Sequence, residues 1–295
     1  MELVSTEVST LKSRTLPWEE VIIMPIGDVQ FGSAECDVDR FKRHIAWAVE
    51  QKNVYFIGMG DYVDFGSPSN RRKLRSMVVE GQLYDTAANV LDEGAEAHLE
   101  QLTEILAPTK GRWLGLLEGH HLWEFQDGTT SDTRLCQSLK APFLGTCAIV
   151  QVRFKEQSRS HQKPSFEIWA HHGRGSGMMQ GAPLNKLEGM MKAFPTVSVF
   201  LMAHHHKKVG GKVQQLIPRF MPSGQHKLEH RNVIIAGTGG FLKGYMAGST
   251  RSNRAMGAYP ERGMMMPVAL GGIVVYARPA YTHDGRAHVD LDVSL

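Results

Sequence analysis

The sequence predicts an α/β protein with a mixed system of parallel and antiparallel strands, on three observations. Residues 21–57 read as a strand–helix–strand unit, whose connection makes the two strands parallel neighbours. The last third of the chain alternates short strand patterns with turn residues, which favours antiparallel pairing. Five predicted strands end in a segment that bears Asp or His.

Residues 1–18 are polar and read as a tail. Residues 21–26 (VIIMPI) form an uninterrupted apolar run that stops at Gly27 and Asp28, the pattern of a strand buried on both faces. Asp37 is placed as a helix N-cap, and Phe41, Ile45, Ala48 and Val49 recur at helical spacing before Asn53. Residues 54–57 repeat the buried-strand pattern and lead to Gly60 and Asp61. Leu91, Ala95, Leu99, Leu102 and Leu106 line one face of a helix over 85–106, which Pro108 closes. A strand over 113–117 runs into Glu118-Gly119-His120-His121. Strands over 146–154 and 165–170 flank a polar turn, and the second runs into His171-His172-Gly173. A helix over 184–194 leads to a strand over 197–202, followed by His204-His205-His206. Further strands are expected near 212–217, 232–236, 268–277 and 287–293, with a long mobile loop over 236–267. The whole chain, 1–295, reads as one domain.

Hydrophobic residues at 42% and charged residues at 21% are ordinary for a packed domain and exclude a disordered or fibrous chain. A net charge of +3 leaves no polybasic footprint, so nucleic acid is permitted as a partner but not demanded. Cys36, Cys136 and Cys147 are odd in number and widely spaced, which argues against a disulfide framework or a thiolate metal site. With no apolar leader and no run of membrane-spanning length, the expectation is a soluble, cytoplasmic protein without a membrane partner.

Seven of the 14 histidines fall in three clusters, each directly after a predicted strand. Loops at the carboxyl ends of strands are where open α/β sheets build their sites, so these histidines can converge with Asp28 and Asp61. On an extended segment His204 and His206 point one way and His205 the other, giving an imidazole pair suited to Zn²⁺, Mn²⁺ or Fe. The plainer reading is a polar strand end. Asp61 and Asp64, in Gly60-Asp61-Tyr62-Val63-Asp64, have their own plain reading as a turn or N-cap, and co-occurrence with the histidines weighs against both.

Taken together, Asp28-Val29-Gln30, Gly60-Asp61-Tyr62-Val63-Asp64, Gly119-His120-His121, His172-Gly173 and Ala203-His204-His205-His206 resemble, in order and spacing, the motifs of the calcineurin-like metallophosphoesterase superfamily. The resemblance spans residues 28–206, about two thirds of the chain. It implies a four-layer α/β/β/α fold, two mixed sheets packed as a sandwich with helices on the outer faces. It also implies two divalent metal ions, Mn²⁺, Zn²⁺ or Fe. Asp61 would bridge them, with Asp28, Gln30 and His206 on the first and His120, His172 and His204 on the second. The implied activity is hydrolysis of phosphomonoesters or phosphodiesters by a metal-bridging hydroxide; within that class the basic segments of the chain favour a nuclease or nucleotide phosphodiesterase. His121 would serve as general acid and Asp64 would support it. The rival from another class is a non-catalytic, metal-stabilised nucleic-acid-binding module.

Gln30 stands where the family has His, and His120 where it has Asn. A neutral amide oxygen holds a borderline metal less firmly than imidazole does, so the first ion is expected to be labile and the second tight. Residues 70–75 form a basic run that could steer a polyanion but is more often a solvated face, and Lys207 and Lys208 are better placed for a phosphate contact, with surface solubility an equal reading. Residues 237–240 offer a backbone anion nest or a simple turn, and Lys243, Tyr245, Arg251 and Arg254 could line a lid. Methionines at 178–179, 190–191 and 264–266 read as flexible filler.

Overall fold

Alternation along the first buried strand sets the layers. In β2 (Val21–Ile26), Val21 and Ile23 join one apolar cluster while Ile22, Met24 and Ile26 join another, as the two-residue period of a strand requires. The computed structural model describes residues 11–65, 68–155, 163–175, 177–220, 224, 226–246, 258–283 and 285–295, with backbone alone at 68 and 69.

β2 pairs in parallel with β3 (Val54–Gly58), which pairs in parallel with β4 (Trp113–Leu116). On the other side of β2, β11 (Val274–Tyr281) and β12 (Ala287–Ser294) add antiparallel, completing a five-stranded sheet in the order β12-β11-β2-β3-β4. The second sheet has seven strands. Its path runs from β1 (Leu11–Leu16) through β5 (Cys147–Phe154), β6 (Ser165–His171), β7 (Val199–Met202) and β9 (Lys227–Gly240) to β10 (Gly271–Gly272). β8 (Lys208–Arg219) pairs antiparallel with β9 off that path.

The two sheets face each other across one core, where Val21, Ile23, Ile57 and Val275 meet Val150, Ile168, Leu201 and Ile234. Outside the five-stranded sheet, α1 (Val38–Glu50), α3 (Asp85–Leu106) and α4 (Ser131–Leu139) pack through Phe41, Leu99, Leu102 and Leu135. Outside the seven-stranded sheet, α5 (Ala182–Met191) packs Leu187 and Met191 against Trp169 and Phe200. The fold class is therefore the one expected, α/β with two mixed sheets as a sandwich and helices on the outer faces. Among the described residues no helix is long and apolar enough to cross a membrane.

Several local expectations need correction. Part of the expected polar tail, Leu11–Leu16, is an edge strand parallel to β5; only Leu16 of it is buried, and so its composition hid it. Residues 1–10 lie outside the described residues. The segment 70–75 lies within α2 (Pro68–Val79), and α4 was not legible at all. Of the expected loop over 236–267, residues 236–240 complete β9 and Tyr259–Arg262 form the short helix α6, whereas 247–257, with Arg251 and Arg254, lie outside the described residues.

Candidate metal centre

The first ligand-bearing loop departs from β2 and the second from β3, and the two continue side by side after their strands end. Asp28 N–H donates to Gly60 O at 3.1 Å, Gln30 N–H to Asp61 O at 3.0 Å and Phe31 N–H to Tyr62 O at 3.0 Å. Asp28, Gln30 and Asp61 take left-handed backbone angles, φ 47°, 49° and 53°, and His204 and His206 do the same at 68° and 54°. Five of the nine non-glycine residues with positive φ among those described are thus members of the predicted set. Each such residue costs about 1–2 kcal/mol, strain that functional sites tolerate when surrounding contacts hold it in place.

Asp61, 2% exposed, is the hub. Its Oδ1 accepts the backbone N–H of His120 and, at 3.0 Å, that of His121. Its Oδ2 lies 3.3 Å from His172 Nε2 and 4.0 Å from His121 Nε2. The approach of the two loops demands glycine at 119, where a Cβ would stand 2.0 Å from the Asp61 nitrogen.

Two groups of ligand atoms lie within 4.8 Å of one another: His120, His172 and His204 form one, Asp28, Asp61 and His172 the other. His120 Nδ1 is 3.2 Å from His204 Nδ1. His172 Nδ1 donates to Met59 O at 2.7 Å, and because a carbonyl only accepts, this bond leaves the lone pair of the neutral ring on Nε2, toward Asp61. The neighbouring His171 is outside the centre: its Nδ1 accepts from Gly173 N–H at 2.7 Å and its ring stacks on Trp169.

His206 is in neither group, and its Nε2 lies 3.5 Å from Gln30 Nε2. The expectation that His204 and His206 project together from an extended segment fails, because both residues are left-handed and the backbone bends between them. His204 is sent to His120 and His172, while His206 is sent to Gln30. His121 Nδ1 meets Asp64 Oδ1 at 3.0 Å. His121 also lines a cavity together with Asp61, His204 and His206.

Burial pushes the Asp28 carboxyl up, and His206 and His172 offset this only in part. Burial acts the same way on Asp61, but His172 and His121 outweigh it and hold the carboxylate well below its usual range. For His172 burial disfavours the charge, yet Asp61 and Asp28 prevail and raise it to about 9. His204 is driven down to about 3 by burial and by the charges of His172 and His120. Both Asp28 oxygens, His172 Nε2 and His206 Nδ1 are buried without a hydrogen-bond partner. Such orphans cost about 1–3 kcal/mol each, and this carboxylate and imidazole donor set fits a divalent cation.

Three supporting residues escaped the sequence reading. Asp132, 1% exposed, accepts Gly119 N–H at 2.9 Å and Ser131 Oγ–H at 3.1 Å, so it anchors the loop that carries His120. The signal was present in the cap Thr130 at the start of α4. Arg71 of the basic run turns inward and donates to His120 O at 2.8 Å and to Leu122 O, bracing the same loop. Tyr62 O–H donates to Leu117 O at 2.8 Å. Lys207 is buried and its amine donates to Gly177 O and Met179 O, so two of its three N–H groups are engaged within the chain. The glycines at 239–240 are strand, and a Cβ on Gly240 would meet His206 Nδ1 at 2.9 Å.

Burial raises the Asp132 carboxyl to about 7, against the pull of the Gly119 N–H. The unfolded carboxyl ionises near 3.9, so the folded form holds its proton over a wider range, and ionisation costs stability. As far as this group is concerned, metal-free protein should be most stable below about pH 4 and lose on the order of 3 kcal/mol as pH rises toward 7. Asp132→Asn keeps an acceptor for Gly119 and should flatten that slope in urea unfolding; an unchanged slope would place the titration elsewhere.

No protein-family model and no curated protein sequence matches the chain. Among solved structures, zinc-complexed Vps29 from Entamoeba histolytica is similar at 12% identity and TM-score 0.36, covering 92% of this chain and 99% of its own. Vps29 from Chaetomium thermophilum is similar at 10% identity and TM-score 0.35, covering 93% and 95%. The calcineurin-like phosphoesterase YfkN from Bacillus subtilis is similar at 12% identity and TM-score 0.34, covering 94% of this chain and 91% of that one.

Proposed function

We propose that the chain is a divalent-metal-dependent phosphoesterase that adds water across a P–O bond and releases an alcohol and a phosphate. What supports this reading most is a single observation: Asp28, Asp61, His120, His172 and His204, carried by five strand ends, form two ligand groups that share His172, beside a cavity that Asp61 and His204 line. Asp28, Asp61, Gln30 and His206 would hold one cation, and His120, His172 and His204 a second, with Asp61 shared. Bound there, two cations supply neutralisation of the phosphate oxygens and acidify water.

The remaining roles belong to the chain itself. Met59 O keeps the His172 proton on Nδ1, so that Nε2 keeps its lone pair for a cation. Asp61 draws the His120 and His121 backbone amides onto one oxygen and so fixes the loop that carries both residues. Asp64 holds His121 Nδ1, which leaves Nε2 as the nitrogen to protonate the departing oxygen at the cavity that His121 lines.

The direct test is Mn²⁺-dependent hydrolysis of p-nitrophenyl phosphate and its bis ester. Turnover that vanishes on metal removal and returns on reloading is the expected result. Absence of turnover with every divalent metal would instead favour the non-catalytic, metal-stabilised nucleic-acid-binding module. Graded chelation followed by elemental analysis should show one ion leaving well before the other, because Gln30 supplies an amide where the other site has a third imidazole. Equal loss from both sites contradicts that asymmetry.

A further inference from the structure

The cavity beside Asp61 and His121 has a volume of about 300 Å³, the lower end of the range for small-molecule sites. Beyond the histidines, Gln30, Asp61 and Lys207, the described wall is largely apolar, with Met178, Tyr245, Tyr259, Pro260, Met264 and Met265. Met178 is 59% exposed, Tyr259 53% and Met264 75%, a concentration of open apolar surface that soluble proteins rarely leave without use. The wall is a built structure. Tyr245 N–H donates to Glu261 Oε1 at 2.8 Å and Met265 N–H to Pro260 O at 2.9 Å, which ties both sides of the wall to α6. Tyr245 and Met264 are held at φ 57° and 49°, a conformation bulky side chains avoid unless neighbours impose it.

Charge narrows the occupant. Among the described lining residues the one Lys or Arg is Lys207, whose amine is turned to Gly177 O and Met179 O. A nucleic acid strand needs cations along its phosphates, and the described wall offers no lysine or arginine besides this one, whose amine is already bonded to two carbonyls. Methionine and tyrosine instead present adaptable apolar and aromatic surface.

We infer that this cavity is the leaving-group subsite and selects phosphoesters of uncharged, apolar alcohols, aryl or alkyl, over nucleotides and nucleic acid. The inference rests on the phosphoesterase reading above. The scissile phosphate lies at the Asp and His cluster, and the alcohol departs along the methionine and tyrosine wall as it takes its proton.

The test compares phenyl phosphate with 4-butylphenyl phosphate on the Mn²⁺-loaded full chain. The two phenols are of similar acidity, so apolar bulk is the variable. Each buried methylene is worth roughly fourfold, and kcat/KM is expected to rise at least about tenfold for the butyl ester. The double variant Met178→Ser/Met264→Ser, at two largely exposed positions, should remove that preference. Equal kcat/KM for the two esters, or faster cleavage of a nucleoside monophosphate ester or single-stranded DNA than of the butyl ester, overturns the subsite and leaves a phosphoesterase standing. Calorimetry with non-hydrolysable phosphonates separates the other case. Binding of 4-butylphenylphosphonate at least about tenfold tighter than phenylphosphonate, lost in the double variant, supports the subsite even if no ester is hydrolysed, and then the catalytic reading falls alone. Equal binding of the two phosphonates overturns the subsite.

Discussion

His121→Ala is expected to lower kcat by about 10²–10⁴-fold while metal content and fold persist. The ring is in neither ligand group, its Nδ1 is engaged by Asp64, and the residue lines the cavity. Alanine retains the backbone N–H that Asp61 Oδ1 accepts, so the loop keeps its anchor. The loss should shrink as the leaving alcohol becomes more acidic, because a good leaving group needs little protonation. Steady-state kinetics over a series of substituted phenyl phosphates would read this trend, and a loss independent of leaving group would remove His121 from the proton-donor role. Asp64→Asn should act through His121 and give a smaller fall in kcat with the same dependence on leaving group.

Asp61→Asn is expected to abolish turnover and to weaken metal binding by more than the roughly 10–100-fold that loss of an outer hydrogen-bond partner costs. The amide oxygen can still accept the His120 and His121 N–H groups, so folding should survive. What disappears is the buried charge facing His172 and His121, together with the capacity to bind two cations through one carboxylate. Elemental analysis alongside circular dichroism separates these effects. A variant that keeps two tightly held ions would sink the assignment of Asp61 as the shared ligand.

Much of the architecture could be read from local pattern. Uninterrupted apolar runs at 21–26 and 54–57 became the parallel neighbours β2 and β3, and the helical stripe from Leu91 to Leu106 lies on α3. Segments with one solvated face were lost. β1 is an edge strand with polar outward residues, and α4 is nine residues long, too short for its period to stand out. The basic run at 70–75 carried a charge pattern but no direction, and only the fold turned Arg71 onto the carbonyls of His120 and Leu122.

By itself the sequence determined the layers and the residue types at each strand end, because two- and 3.6-residue periods record which side of each element must leave water. It could not determine which nitrogen of which histidine reaches the centre. That rests on left-handed backbone at Asp28, Gln30, Asp61, His204 and His206, and on bonds such as His172 Nδ1 to Met59 O, which spans 113 positions of the chain. Such geometry exists only once the two sheets have packed, since the strain at these residues is offset by contacts that no local stretch contains.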